Sequence, residues 1–219
     1  NGRIQVKPVM PFLPNEYQEV EYIESSSTQY IDTGVFASEN NSFEVKAQLL
    51  HTDTTSQTIW GGRNSANSGM QQSNQLSCVK SSGRYQFVCG NIHVATGMYD
   101  TNLHVFNAKK NVLYIDGIKI CTASSAEITA KNNVYLFATN TNGTIGFNGG
   151  AIKMYYCKIW NNETLVRNFI PCYRKSDGEV GLYDMVNGEF YGNDGIGEFL
   201  KGANKTILQK CNIFIGERN

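Results

Sequence analysis

The sequence predicts an all-β protein, a two-sheet antiparallel β-sandwich of the jelly-roll type. Short runs of alternating β-branched and aromatic residues recur roughly every ten to fifteen residues along the chain. Clusters of Asn, Gly, Ser and Asp separate these runs, and no stretch has the periodicity of a long helix. A chain of 219 residues is long enough for one such sandwich with a full hydrophobic core.

The predicted strands share β-branched or aromatic alternation and are bounded by turn-forming residues. In chain order they are 18–24, 30–33, 42–50, 57–61, 76–79, 85–88, 102–107, 111–115, 118–122, 134–138, 151–160, 165–169, 180–184 and 189–191. The dipeptide Asp116-Gly117 joins two of them, and it supplies the positive φ angles that a two-residue hairpin turn requires.

A second hairpin, near the C-terminal end, is centred on Asn187-Gly188. Neither face of its strands is purely apolar, so we expect it at the edge of the sandwich and not at its centre. We expect it to close one rim of the fold, with Phe190 or Tyr191 meeting the core. In this interpretation Pro171 turns the chain into the hairpin.

The charge composition argues against two classes of partner. Charged residues make up 17% of the chain, and 19 basic residues balance 19 acidic ones. Nucleic acids and anionic membrane surfaces both require concentrated positive charge, which this sequence lacks. No apolar run approaches ~18 residues, so no transmembrane helix is predicted.

The chain divides into a central sandwich and two flanking segments. We expect residues 1–12, in which prolines are interspersed with apolar residues, to be an extended arm, 13–202 to be the sandwich, and 203–219 to be a second arm or an added edge strand. Such arms suit contacts with other copies or with neighbouring proteins. The first residues carry neither an initiator Met nor a signal-peptide core, so we expect a segment of a longer polypeptide or an artificial boundary.

Six cysteines show no spacing typical of a metal site. We expect them to be reduced, with Cys121 and Cys157 as small core residues. If a disulfide exists, the best pair is Cys78 and Cys89, which flank a predicted hairpin.

Two segments carry a resemblance to a known family. They are LPNEYQEVEYIESSSTQYIDTG at 13–34 and LVRNFIPCYRKSDGEVGLYDMVNGEFYGNDGIGEF at 165–199. Both resemble the concanavalin A-like, laminin-G-like jelly-roll domains of structural proteins from phages and prophages of Gram-positive gut bacteria. The resemblance implies a tail, fibre or decoration protein, assembled in the bacterial cytoplasm and placed on the virion or the cell surface. The fold alone does not decide function, because it carries enzymes, lectins and structural modules alike.

Catalytic motifs are weak. Glu19, Glu21 and Glu24 resemble the catalytic strand of laminarinase-type glucanases, but Glu21 stands where those enzymes have Asp, and we favour a solvent-facing edge strand. The histidines have no partner at a recognisable catalytic spacing; they are His51, His93 and His104. Calcium is a known ligand of laminin-G-like folds, yet the loop aspartates form no cluster; they are Asp53, Asp100 and Asp194. We therefore expect no enzyme activity and no cofactor.

Sugar binding requires an aromatic platform with amide and guanidinium groups beside it. The candidate residues lie at predicted strand ends and in polar loops; they are Trp60, Arg63, Asn64, Tyr85, Asn91, Asn140 and Asn142. The resemblance links the Trp60–Asn64 turn with the segment after 134–138, since family members often carry a GxR-type turn and an LFAxNxNG-type segment there. The competing interpretation makes Trp60 a core residue and the asparagines turn formers.

We thus expect a non-enzymatic binding and assembly module of a phage or prophage particle that contacts host-surface glycan. The alternatives are a purely structural decoration or adhesin domain without sugar binding, and a glycoside hydrolase of the glucanase type.

Overall fold

The computed structural model describes residues 12–52, 56–67, 69–129, 131–146 and 150–206. These residues form two packed β-sheets, which confirms the predicted all-β sandwich. Within those ranges no helix is long and apolar enough to cross a membrane.

The described strands, in chain order, are β1 (Tyr17–Glu19), β2 (Ile23–Ser25), β3 (Ile31–Phe36), β4 (Asn41–Leu49), β5 (Gln57–Arg63), β6 (Ser73–Val79), β7 (Arg84–Gly90), β8 (His93–Met98), β9 (Leu103–Lys109), β10 (Val112–Ile115), β11 (Ile118–Thr122), β12 (Asn133–Leu136), β13 (Thr139–Thr141), β14 (Thr144–Gly146), β15 (Ile152–Asn161), β16 (Thr164–Arg174), β17 (Val180–Asp184), β18 (Glu189–Tyr191) and β19 (Leu200–Lys201).

The first sheet runs β11-β10-β9-β4-β15-β16-β17-β18, with β1 beside β16, and β2 between β15 and β19. The second sheet runs β14-β13-β5-β6-β7-β8, and β12 joins β5 to β3. Described pairings are antiparallel except that of β13 with β5, which is parallel. Each predicted strand overlaps an observed one, but the sequence analysis missed β8, β13, β14 and β19.

The core lies between the sheets and includes an aromatic contact across them. Trp60 of β5 stacks on Phe43 of β4 with ring centroids 4.8 Å apart and an interplanar angle of 11°. Both side chains are fully buried. The indole N–H donates to Asn74 Oδ1 at 3.1 Å, so the one polar group of Trp60 is satisfied inside the core.

The predicted corner at Pro171 is wrong, because β16 runs straight through this residue. On one side, β16 pairs with β15 up to Phe169 and with β1 from Cys172 onward. The Pro171 carbonyl accepts the Val20 N–H at 3.0 Å, so the proline nitrogen also faces this junction. Pro171 therefore lies where β15 ends and β1 begins as the neighbour of β16. Because neither strand needs an N–H donor from this residue, the proline removes no hydrogen bond between strands.

The Asp116-Gly117 turn is confirmed as a two-residue turn, with φ of 51° and 78°. The closing hairpin differs, since β17 ends at Asp184 and β18 begins at Glu189, which leaves a four-residue loop with Gly188 (φ 74°) at its end. The buried carboxylate of Asp184 explains the longer loop, because it accepts the Val186 N–H at 3.0 Å and thereby builds a turn of its own.

The predicted edge position of this hairpin is confirmed, because β18 is the last strand of the first sheet. Tyr191 packs against the core and meets the Phe169 ring edge-to-face at 5.1 Å. Phe190 points to the other face, where it stacks on Tyr17 with centroids 5.3 Å apart.

The ordered pairing continues slightly beyond residue 202. Ala203 O accepts the Glu21 N–H, and the Lys205 N–H donates to Glu19 O, both at 2.9 Å. Residues 1–11 and 207–219, which make up most of the two predicted arms, lie outside the described residues.

The five described cysteines are free thiols, and Cys211 lies outside the described residues. Cys157 is fully buried, and Cys121 is partly buried against the core. Cys78 and Cys89 do not pair, because Cys78 lies opposite Tyr85 and Cys89 opposite Asn74, at the two ends of the β6–β7 ladder. Four residues along a strand span about 13 Å, well beyond disulfide reach.

Gly188 offers a test of the closing loop. Gly188→Val forces a β-branched side chain into positive φ, and we expect a loss of about 1–3 kcal/mol in the free energy of unfolding. Gly188→Asn is the matched control, because Asn tolerates this backbone region, and it should cost markedly less. Urea denaturation measures both; equal stability of the valine variant and wild type would contradict the positive-φ assignment.

Candidate functional site

Two of the predicted sugar-binding residues lie in the core. Trp60 is completely buried, so its indole presents no face to a ligand, and its assignment as a platform is wrong. Tyr85 is 3% exposed, and its ring packs edge-to-face against Phe106 and Tyr99. Both residues lie on the inward face of the second sheet, where burial of their large aromatic rings is favourable.

The structure does bring together the two polar segments that the resemblance linked. Arg63 Nε donates to Thr141 Oγ1 at 2.8 Å, and the Asn142 N–H donates to the Arg63 carbonyl at 3.0 Å. Asn140 is 5% exposed and fixes the turn, since its Oδ1 accepts the Gly143 N–H at 2.8 Å. Arg63 and Asn140 are thus mostly committed to this β5–β13 junction, whereas the Asn142 side chain is exposed.

Asn64 and Asn91 lie at the same end of the second sheet but serve a loop. The Asn64 N–H donates to Gln71 O at 2.8 Å, and Asn91 Oδ1 accepts the Gln72 N–H at 3.1 Å. Asn91 therefore acts as a turn former here, while the Asn64 side chain is exposed.

Strand β13 pairs beside β5 in the second sheet, and its Thr139 side chain packs against outward-facing positions of β5. Thr58 and Thr139 hydroxyls lie 2.8 Å apart, and both side chains are fully buried. A Cβ on Gly61 would lie 2.9 Å from Thr139 Oγ1, so glycine is required there for the close approach of β13.

Two tyrosines that the sequence analysis did not select stack at the neighbouring edge. Tyr30 directly precedes β3 and Tyr135 lies in β12; their ring centroids are 4.8 Å apart at an interplanar angle of 24°. Asp32 lies directly opposite Tyr135 in the β3–β12 ladder, which places both side chains on one face. Both rings are partly exposed.

Asp194 reaches the same place from the far end of the chain. Its Oδ2 accepts the Asp32 N–H at 2.7 Å. The Asp32 carboxylate accepts the Gly34 N–H at 2.8 Å and Asn133 Nδ2 at 3.1 Å. We call the group Tyr30, Asp32, Asn133, Tyr135 and Asp194 the tyrosine–aspartate surface.

Burial and neighbouring negative charges shift the pKa values of several groups in the tyrosine–aspartate surface. Partial burial raises the pKa of the Asp194 carboxyl, the Asp32 N–H hydrogen bond opposes this, and the negative charge of Asp32 adds to the rise. Burial raises the pKa of Tyr30 and Tyr135 as well, and the two carboxylates reinforce the effect. Asn133 Oδ1 is buried without a hydrogen-bond partner. The surface therefore offers aromatic faces beside hydrogen-bond acceptors of net negative charge.

The loop that carries Asp194 is held by Asn193. Its Oδ1 accepts the N–H groups of Tyr30 at 3.2 Å and Gly195 at 2.8 Å, while its Nδ2 donates to Gly197 O at 2.8 Å. A Cβ on Gly195 would lie 2.0 Å from Thr28 O, so the loop can pack this closely only with glycine. A cavity of about 370 Å³ lies against the same loop, with Asp177, Glu179 and Glu198 in its walls.

The three glutamates of the opening segment do not form one catalytic strand. Glu19 belongs to β1 and lies 3.1 Å from Lys205 Nζ, whereas Glu24 belongs to β2 and lies 3.9 Å from Lys153 Nζ. Glu21 sits in the connection between these strands.

His104 has carboxylate partners that the sequence analysis missed. Its Nε2 lies 2.9 Å from Asp100 Oδ1 and its Nδ1 lies 2.6 Å from Asp116 Oδ2. Partial burial opposes protonation, but the hydrogen bonds with Asp116 and Asp100 outweigh it and raise the pKa of His104. The i,i+4 spacing of Asp100 and His104 was a signal, although the third member comes from the β10–β11 turn.

Metal binding finds no support among the described ranges, where no group of three or more His, Cys, Asp or Glu side chains has metal-binding geometry. Of the calcium candidates, Asp100 pairs with His104, Asp194 contacts the Asp32 backbone, and Asp53 lies outside the described residues.

The contacts of His104 with Asp100 and Asp116 predict that the stability of the fold depends on pH. Because folding raises the pKa of His104, protonation of His104 stabilises the fold. This contribution is fully present at pH values below the unfolded-state pKa of about 6.5, and it is lost as the pH rises through the folded-state pKa. We expect wild type to exceed His104→Gln in free energy of unfolding by up to about 1 kcal/mol near pH 6, and by less near pH 9. Urea denaturation at both pH values measures the difference; a constant difference would contradict the assignment.

Comparisons with known proteins show the fold. No protein-family model and no curated protein matches the sequence. A candidate carbohydrate-binding protein from Bacteroides ovatus superposes with a TM-score of 0.52 at 12% identity, over 86% of this chain and 62% of that one. This chain therefore spans less than two thirds of that protein.

Two further solved structures are more distant. The CBM40 domain of Ruminococcus gnavus IT-sialidase has a TM-score of 0.42 at 16% identity, over 64% of this chain and 90% of that one. A Trypanosoma rangeli sialidase has a TM-score of 0.40 at 10% identity, over 70% and 33% of the two chains. At these identities the likeness to the Bacteroides ovatus protein shows a shared β-sandwich fold.

Proposed function

We propose that this protein is a non-catalytic carbohydrate-binding module whose ligand site is the tyrosine–aspartate surface. The observation that carries the proposal is the partly exposed Tyr30–Tyr135 stack, with the Asp32 and Asp194 carboxylates beside it. An aromatic face packs against the apolar C–H face of a pyranose, and carboxylate oxygens accept hydrogen bonds from its hydroxyls. The fold shared with the Bacteroides ovatus protein supports the same conclusion.

The charge of the site indicates the class of glycan. Asp32 and Asp194 give the tyrosine–aspartate surface a net negative charge, because its other members are uncharged. Acidic sugars such as sialic acid would be repelled, so we propose neutral, hydroxyl-rich glycans as ligands. This differs from the CBM40 domain of Ruminococcus gnavus IT-sialidase, which has been solved bound to α2,3-sialyllactose.

The biological setting follows from the sequence resemblance. We propose a tail, fibre or decoration protein of a phage or prophage particle, on the virion or cell surface, that contacts glycan of Gram-positive gut bacteria. Single-site sugar affinity is weak, and a particle that repeats the site many times gains avidity.

One observation favours a second candidate function, glycoside hydrolysis. Asp194 has a raised pKa and accepts a hydrogen bond from the Asp32 N–H, and a carboxyl group of raised pKa suits the general acid in hydrolysis of a glycosidic bond. Both Asp32 oxygens are already hydrogen-bonded, which makes this residue a poor nucleophile and leaves binding as the first proposal.

A glycan array followed by calorimetry tests the binding proposal. We expect binding of neutral bacterial surface glycans, with Tyr135→Ala weakening affinity about three- to tenfold through loss of stacking. Tyr155→Ala is the matched control: this tyrosine lies on the first sheet, beside Tyr22 at 5.3 Å, and its loss should leave affinity unchanged.

Three outcomes would overturn the proposal. They are no binding to any array glycan, equal loss of affinity in both tyrosine variants, and a preference for sialylated over neutral glycans. Turnover of 4-nitrophenyl glycosides that disappears in both Asp194→Asn and Asp32→Asn would replace it with the hydrolase function.

A further inference from the structure

A second concave site lies at the opposite edge of the second sheet. There the edge strands β8 and β11, one from each sheet, approach without pairing and leave a cleft of about 260 Å³. Its lining includes the apolar side chains of Met98, Ile118 and Ile120 and the polar side chains of Asp100, His104 and Asp116.

One wall of the cleft is apolar and open to solvent. Ile118 is 68% exposed, Met98 is 67% exposed and Ile120 is 36% exposed. These side chains come from both sheets and converge on one cleft, whereas most exposed apolar residues of a soluble protein are scattered singly. An apolar ligand of small size would bury them together.

The other wall is anionic. The carboxylates of Asp100 and Asp116 are 49% and 48% exposed, and both accept from His104 between them. With His104 protonated, the three groups sum to one negative charge. None of the lining residues is Lys or Arg, so this wall attracts a cation.

Tyr85 adds an independent sign of an absent partner. The residue lines the cleft and is 3% exposed, yet its hydroxyl has no hydrogen-bond partner of normal geometry. The hydroxyl lies near the backbone of Asp100, at the anionic end. A buried hydroxyl without a partner costs free energy, which a bound polar group would recover.

We propose that this cleft binds a small amphiphilic amine, with its aliphatic part between Met98, Ile118 and Ile120 and its ammonium group at Asp100 and Asp116. The site is separate from the tyrosine–aspartate surface. Its volume suits a ligand of about six to ten non-hydrogen atoms, smaller than a drug-sized molecule.

Hexylamine is the probe, and methyl NMR of protein labelled at Met and Ile is the readout. We expect saturable shifts at the Met98, Ile118 and Ile120 methyl groups, with hexanoate and hexanol binding at least about fivefold more weakly. Ile118→Ser should abolish saturation, and Asp100→Asn should weaken binding about two- to fivefold. Ile196→Ser, which alters a residue 78% exposed in the loop that carries Asp194, is the control and should bind as wild type does.

Thermal melts establish that each variant is folded before titration. Equal binding of hexylamine, hexanol and hexanoate would overturn the charge-selective site, and so would the absence of saturable shifts in wild type. Concentration-dependent self-association that Ile118→Ser removes, without amine binding, would assign the apolar wall to a second copy of the chain instead.

Discussion

The stacking of Trp60 on Phe43 is the contact on which the arrangement of the second sheet depends. It joins β5 to β4 across the sandwich and buries the largest side chain of the core. Because the indole points inward, the outward positions beside it fall to Gly61 and Arg63. Those two residues allow β13 to pack closely beside β5, with the Thr139 side chain against Gly61 and the Thr141 hydroxyl accepting a hydrogen bond from Arg63. Strand β5 therefore shows no aromatic ring to solvent, and the stacked, partly exposed tyrosine pair comes from β12 and the residue before β3.

Much of this architecture could be predicted from the sequence. Alternating patterns located most strands, because strands with one buried face alternate in polarity. The Asp116-Gly117 turn was also predictable, since few residue pairs accept two positive φ angles. The arms and the particle role are not decided by the described residues, and they stay predictions.

The candidate site was harder to predict, for identifiable reasons. A register shift between Thr58 and Trp60 interrupts the alternation of β5, so the sequence alone does not show which face the tryptophan takes. Tyr30 and Asp32 were visible as an alternating pair on one strand. Their partner Asp194 is 162 residues from Asp32, and only the packing of its loop brings it there. The local sequence pattern around either residue does not indicate such a long-range contact.

The two proposed sites share a physical character, although they lie at opposite edges of the second sheet. Each combines exposed apolar or aromatic surface with a pair of aspartates, in a chain whose total charge is zero. Local fields of this kind, and not net charge, select ligands at short range, because charges farther apart than a Debye length are screened by salt. A cation and a neutral glycan can therefore bind the same chain at separate places.

The central claim is that glycan binds over Tyr135, and a crystal structure with a bound neutral oligosaccharide tests it most directly. The account predicts a pyranose ring packed on the exposed face of the tyrosine pair, with at least one hydroxyl donating to Asp194. A sugar bound instead on the first sheet, over Tyr22 and Tyr155, with the tyrosine–aspartate surface empty, would contradict it.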